Sequence, residues 1–240
     1  MAADRPMSKA SRLRAPAVAR MSRGDEAARY IRSLIFEGEL KPGERVPQDD
    51  IASVLGVSRI PVREALITLE SEGWVTIELN RGAFVNGYDA HSVRDHYALF
   101  GMLYGFSARR ALERSDGREL ADRLDLILTE AGTEDPTAFT RLTVDFTSAV
   151  VRAASSPRLS SATRSLGQLV PGDFFSLVPD AVAGQRKGMR AVARAIRQGD
   201  GDKADAAFRK MMRDTGDVVF ALFEQRGLMS TSDTPPRVER

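Results

Sequence analysis

The chain is predicted to be mainly α-helical, an N-terminal winged helix-turn-helix with a small β-hairpin wing followed by an antiparallel bundle of six to seven helices. Three observations predict this. Two short helical patterns meet at a glycine in residues 51–69. A strand–turn–strand pattern comes directly after, in residues 75–85. Beyond residue 90 only helical spacing recurs. The 240 residues suit one small domain and one medium one, and a hydrophobic fraction of 42% is enough for packed cores. With no cysteine, disulfides and thiolate metal sites are excluded. There is no apolar run of about eighteen residues, so no membrane span is expected. The N-terminal arginines precede no apolar stretch, which argues against a signal peptide. A cytoplasmic protein is expected.

Residues 1–23 carry Arg5, Lys9, Arg12, Arg14, Arg20 and Arg23 against one acid, Asp4, with no helical stripe. Two readings stand: a disordered tail, or a basic arm lying along phosphates or in a minor groove. The next segment, residues 24–87, holds seven Arg or Lys and eleven Asp or Glu. Net charge therefore gives no support for nucleic-acid binding there, and the placement of a few arginines must supply it.

The first helix is expected over residues 25–37, with Ala27, Ala28, Ile31, Leu34 and Ile35 as its buried stripe. Gly38 stops it and Pro42-Gly43 turns the chain. A second helix begins near Gln48, with Asp49 and Asp50 in a first turn that suits carboxylates. Ile51, Val54 and Leu55 share one face, and Gly56 can take the left-handed conformation that ends such a helix. Ser58 offers its hydroxyl as an N-cap for a third helix, and Pro61 sits in the first turn, where a missing N–H costs nothing. Val62, Ala65, Leu66 and Leu69 recur at i, i+3, i+4 and i+7, so that face is core. Arg59, Ile60 and Arg63 lie opposite. Val75, Ile77 and Leu79 alternate as in a strand, Asn80-Arg81-Gly82 has turn chemistry, and Ala83-Phe84-Val85 returns. Trp74 reads as a core residue bridging helix and wing.

Such a helix pair places its second helix in the DNA major groove, N-terminus first. Arg59 and Arg63 have the reach and donor fork for guanine O6 and N7, or for phosphate. Ser58 sits where a helix N-terminus meets a phosphate. Ile60 and Pro61 offer apolar surface to a thymine methyl. Arg45, before the second helix, is a weaker candidate for phosphate. Asn80, Arg81 and Gly82 at the wing tip come within reach of an adjacent minor groove. Small bundles also contain glycine-broken helix pairs, and an arginine on a hairpin is often only a solvated turn. Pair, wing and paired arginines in this order favour DNA.

Gly87-Tyr88-Asp89 reads as a short linker, which keeps the two parts close. Beyond it, helical stripes run over residues 91–114, 118–131, 136–154, 157–169, 180–198 and 203–225. This second part, residues 90–228, is expected to bind an effector and to dimerise. Residues 229–240 read as a polar, disordered tail.

Gly38-Glu39-Leu40-Lys41-Pro42-Gly43, Leu55-Gly56-Val57-Ser58-Arg59, Pro61-Val62-Arg63-Glu64-Ala65-Leu66 and Arg81-Gly82-Ala83-Phe84-Val85 together resemble the winged helix of the GntR family of bacterial transcription regulators. The helical second part is similar, more loosely, to the effector domain of the family's FadR branch. The resemblance implies a homodimeric regulator, commonly a repressor, that binds a palindromic double-stranded DNA operator and responds to a small molecule. It also implies a divalent metal held by one Asp and three His. At the matching positions this chain has Thr143, Thr147, Met189 and Met211, which do not hold a hard divalent ion. No metal and no cofactor is therefore expected. Two charged positions of the branch's first bundle helix correspond to Phe100 and Tyr104. With those side chains the bundle centre becomes more apolar. Two readings result: an apolar or amphipathic effector pocket around Phe100, Tyr104, Thr143, Thr147, Met189 and Met211, or a filled bundle serving only dimerisation. Asp49 departs from the family, some members of which place a DNA-touching Arg hereabouts.

An enzyme is not expected. There is no nucleophile–base–acid set, only two histidines, His91 and His96, and Gly-Glu-Leu-Lys-Pro-Gly lacks the ending of a phosphate loop. A winged helix that binds protein is a remote alternative.

Overall fold

The computed structural model describes residues 22–114, 117–130, 135–166, 169–170 and 174–229. Most of the basic arm and most of the C-terminal tail lie outside the described residues. Helix α1 spans Arg23–Phe36 and starts at Ser22, whose hydroxyl accepts from the Asp25 N–H while Asp25 reaches back to the Ser22 N–H. That reciprocal cap, not expected from the sequence, takes Arg23 out of the arm and into the helix. Ala27, Ala28, Ile31 and Ile35 are buried as expected, with Leu34 half-buried.

Helix α2 (Gln48–Leu55) ends at Gly56 with φ of 62°, the left-handed stop its sequence called for. Val54 does not share the core face with Ile51: the buried arc runs from Ile51 through Leu55 to Ala52, and Val54 falls about 60° beyond its other edge, at 66% exposure. Helix α3 (Arg59–Ser71) buries Val62, Ala65, Leu66 and Leu69. Ser58 occupies its N-cap position but makes no capping bond, so its hydroxyl is not spent on the helix. Arg32 of α1 grips Glu72 at the end of α3 through its Nε and Nη2, at 2.6–2.9 Å.

Strands β1 (Val75–Glu78) and β2 (Gly82–Val85) pair antiparallel, with Val75 opposite Val85 and Glu78 opposite Gly82. The alternation through Ile77 and Leu79 does not mark a buried face. Leu79 lies past the strand end in the turn and is 88% exposed, and Ile77 is 38% exposed. The hairpin also gains a neighbour on its other edge. Gly43 N–H donates to the Val85 carbonyl, Val85 N–H to Glu44, and Val46 N–H to Ala83, all at 2.8–2.9 Å. Trp74 is fully buried, edge-on to Tyr88 at 5.8 Å.

The bundle continues the chain as α4 (Ala90–Arg114), α5 (Arg118–Glu130), α6 (Pro136–Ala153), α7 (Pro157–Ser165), α8 (Phe174–Leu177), α9 (Ala181–Arg197) and α10 (Gly201–Gln225). Helix α7 stops four residues short of the expected end, and the short α8 has no counterpart among the expected stripes. The two longest helices, α4 and α10, pack at glycines. A Cβ on Gly101 would stand 3.0 Å from the Arg209 Cα, one on Gly216 3.0 Å from the Tyr97 Cβ, and one on Gly105 inside the Asp205 carboxylate.

The buried side chains form two clusters, and their border does not coincide with the linker. Val219, Leu222 and Phe223 of α10, with Leu228 beyond it, belong to the winged helix's core. Phe223 packs on Tyr88 at 5.0 Å and edge-on to Phe36 at 6.1 Å, while Arg226 lies over the Phe36 ring at 4.2 Å. Met229, expected in a free tail, bridges to Tyr88.

Candidate functional site

Helix α3 and the hairpin enclose an open groove of about 800 Å³, lined among others by Arg45, Asp49, Arg59, Arg63, Ile77 and Asn80. The cap geometry of α3 decides what faces it. Ser58, Arg59 and Ile60 start the helix and are exposed, Ile60 to 68%, with Pro61 half-buried in the first turn. Arg63 comes one turn after Arg59 and is exposed. It has no hydrogen bond or ion pair among the described residues.

Arg59 is held differently. Its Nε and Nη2 meet the Asp49 carboxylate of α2, the Nη2 contact at 2.7 Å, with both side chains largely exposed. The pair stands on the surface and is not folded into the core. A carboxylate against the Nε–Nη2 edge leaves the Nη1 side of the guanidinium open, and that side still has donors for a base edge or a phosphate.

At the wing tip Asn80 takes φ of 60° and Gly82 φ of 110°, values that a three-residue hairpin loop imposes. Arg81 pairs with Glu78 and lies 5.4 Å from the Phe84 ring centre. Arg45 lies before α2 as expected, and the chain there runs beside β2. It sits on the third strand-like segment opposite Phe84, with its guanidinium across Gly82, where a Cβ would come within 2.7 Å of the Arg45 Nε. Sequence-predicted residues from three separate segments thus line or rim one groove. Three of its apolar residues were missed: Ile77 and Leu79, whose alternation reads equally well as core, and Ile67, which lies off the buried stripe of α3.

A second site lies inside the bundle. A cavity of about 120 Å³ is lined by Tyr97, Phe100 and Tyr104 of α4, by Thr140, Thr143 and Thr147 of α6, and by Gln185, Met212 and Thr215. Positions i, i+3 and i+7 on α4 and again on α6 put those triplets on facing stripes. Phe100 and Tyr104 stack at 5.4 Å. Burial pushes the hydroxyls of Tyr97 and Tyr104 above the usual phenol range. Four of the six expected pocket residues line the cavity. Met189 and Met211 do not: Met189 is fully buried beside Thr143, its Sδ 3.9 Å from the hydroxyl, and Met211 packs against Gly188. Gln185 and Thr215 were missed; a lone Gln on an otherwise amphipathic helix gives no signal.

The residues at the family's metal positions do not fit an ion. Two hydroxyls and two thioethers supply no hard anionic ligand, and among the described residues no three His, Cys, Asp or Glu side chains come together as ligands would. No helix among the described residues is long and apolar enough to cross a membrane.

The elements together make a two-part architecture, a winged helix-turn-helix followed by a helical bundle. The chain belongs to the GntR family: residues 23–85 match the model for bacterial regulatory proteins of the gntR family, and residues 95–214 match the FCD domain. An HTH-type transcriptional regulator of Mycobacterium tuberculosis is 32% identical over 152 residues, covering 63% of this chain and 62% of that protein. The Nta operon transcriptional regulator of Aminobacter aminovorans is 31% identical over 132 residues, covering 54% of this chain and 63% of that one. The chain thus matches less than two thirds of the length of these relatives. Among solved structures, Escherichia coli McbR/YncC superposes with a TM-score of 0.58 at 19% identity, over 86% of this chain and 99% of that one. A putative GntR regulator from Rhodococcus sp. RHA1 gives 0.52 at 24%, over 84% and 99%. These likenesses show the fold. The chain carries the winged helix-turn-helix of this family, whose members are regulatory proteins, not enzymes.

Proposed function

We propose that the chain is a homodimeric repressor that reads a palindromic operator with the exposed first turn of α3 and is released by a small apolar or amphipathic molecule without a metal. The observation that carries the DNA reading is the exposed Arg63, without an ion pair among the described residues, one turn from Arg59 and beside a wing tipped by Asn80, Arg81 and Gly82. Ser58 and Arg45 serve phosphates, and Ile60 and Pro61 meet a thymine methyl. Helix α1 starts beside α3: a Cβ on Gly24 would lie 3.3 Å from the Glu64 carboxylate.

Dimerisation is assigned to α4. Leu99, Met102 and Phe106 fall at i, i+3 and i+7 and are 46–48% exposed. An unbroken apolar stripe on a long helix is a surface that a second copy covers. The effector is assigned to the Phe100–Tyr104–Thr143–Thr147 cavity. Its walls include Met212 and Thr215 of α10, the helix that continues to Phe223 in the winged helix's core. An occupant that shifts α10 moves the reading head.

A gel shift with DNA from upstream of the chain's own gene tests the DNA reading. Arg63→Ala weakens operator binding by about 5- to 150-fold, the worth of one bidentate base contact. Equal operator affinity for wild type and the Arg59→Ala, Arg63→Ala double variant rejects it.

A further inference from the structure

We infer that Leu79, at the tip of the wing, is an apolar wedge that enters the minor groove beside the half-site, partly unstacks one base step and bends the operator there. This rests on the DNA reading and adds to it a residue that selects DNA by its shape.

Position carries the argument first. The β1–β2 ladder closes at Glu78 opposite Gly82, so residues 79–81 form the loop and Leu79 is its first residue. At 88% exposure it exceeds every other large hydrophobic side chain among the described residues. It packs against neither hydrophobic cluster, and it lines the groove between α3 and the wing where the loop forms the lip. A single exposed leucine is ordinary on a protein surface. What distinguishes Leu79 is its place, at the tip of the hairpin that flanks the reading helix.

Its neighbours have the chemistry of a minor-groove reader. Asn80 follows, exposed and in the left-handed conformation, with amide groups suited to the degenerate base edges of that groove. Arg81 comes next, and the Arg45 guanidinium crosses the hairpin at Gly82. Cations beside the tip answer the negative potential of a narrow minor groove. An apolar side chain among them has no hydrogen bond to give to a phosphate or a base edge. What it fits is the face of a base, uncovered when a step opens.

The wing is braced for such an entry. On one edge the Ile77 N–H donates to the Glu70 carboxylate of α3 at 2.8 Å. On the other, the Gly43 and Val46 N–H groups donate to the carbonyls of Val85 and Ala83 at 2.8 Å. A hairpin held along both edges keeps its angle to α3 when its tip meets the duplex, so little is lost in ordering it. Unstacking costs least at pyrimidine–purine steps such as TA and CA, and A-tracts are stiff. The flank beside each half-site is therefore selected for flexible steps.

Duplexes enriched from a random pool by the full chain serve as the probe, and energy transfer between dyes at their two ends reads the bend. The wild-type chain is expected to bend them by at least about 20° per wing and to enrich TA or CA steps beside the half-site. Leu79→Ala is expected to bind the same half-site several-fold more weakly, to leave the duplex straighter and to lose the preference for those steps. Leu79→Met keeps an apolar wedge and is expected to restore the bend. At 88% exposure neither substitution disturbs the packing. A half-site enriched on an unbent duplex overturns the wedge and leaves the DNA reading standing. A Leu79→Ala chain that bends and selects as wild type does has the same consequence. A Leu79→Ala chain that sediments differently without DNA also overturns the wedge, because Leu79 then meets a second protein surface. A pool from which the wild-type chain enriches nothing rejects the DNA reading and the wedge together.

Discussion

Asp49→Ala separates the charge of the reading head from its shape. The Asp49 and Arg59 side chains are 64% and 70% exposed, so their pair contributes less than about 1 kcal/mol to folding. The variant should keep its melting temperature, with stability changed by no more than about 0.5 kcal/mol. On DNA the effect is larger, because one acid leaves a face that must meet phosphates. Arg45, Arg59, Arg63 and Arg81 bring four cations to the groove and its rim, while Asp49 and Glu78 pair with two of them and Asp50 adds a third acid. Freeing Arg59 adds about one neutralised phosphate, which steepens the slope of log K against log salt by about 0.9. Between roughly 50 and 200 mM salt that amounts to about 3.5-fold more loss of affinity than wild type suffers. Counterion release ignores sequence, so non-operator duplexes gain at low salt at least as much as the operator, and discrimination narrows. Fluorescence anisotropy of labelled operator and scrambled duplexes across that range reads both quantities. An unchanged slope, or a gain confined to the operator, refutes the view that Asp49 restrains phosphate contact through Arg59.

Two other outcomes are expected. Met102→Glu with Phe106→Glu places charge on the exposed α4 stripe; sedimentation should then show a monomer, operator affinity should drop at least tenfold, and a persisting dimer rejects the α4 assignment. His96 is wedged between Tyr97 and Phe100, and burial lowers its pKa from 6.5 to about 4. The unfolded chain therefore binds more protons between those values, so stability is level above about pH 6.5, declines as pH falls toward about 4, and is level again below. Denaturant melts of His96→Phe should show a flatter profile across that window, and an unaltered slope removes His96 as its source.

The reading helix and its wing were legible because their rules are local. Gly56, Pro61 and the Val62–Leu69 stripe each act within a few residues, and the structure keeps all three. What escaped was non-local. Asp49 and Arg59 lie ten residues apart on different helices, and only the fold brings them together. Residues 43–46 show no alternation, yet they pair with β2 because the chain crosses back beside it. Ile77 and Leu79 obeyed strand periodicity but line a groove that no core closes. Inside the bundle, the positions of Phe100, Tyr104, Thr143 and Thr147 were found by likeness to relatives. Gln185 was invisible, because what sets it apart is a hydrogen bond from Thr215 on another helix and not its place in a pattern.

Phe223 belongs to one helix by sequence and to another domain by packing. A head mounted in this way has little freedom to swivel on its stalk. In a pair built from such heads, the angle between the two reading helices is a property of the whole particle. Operators should then tolerate changed letters in the gap between half-sites but not a changed number of them, since about five extra base pairs turn the second half-site to the far side of the duplex.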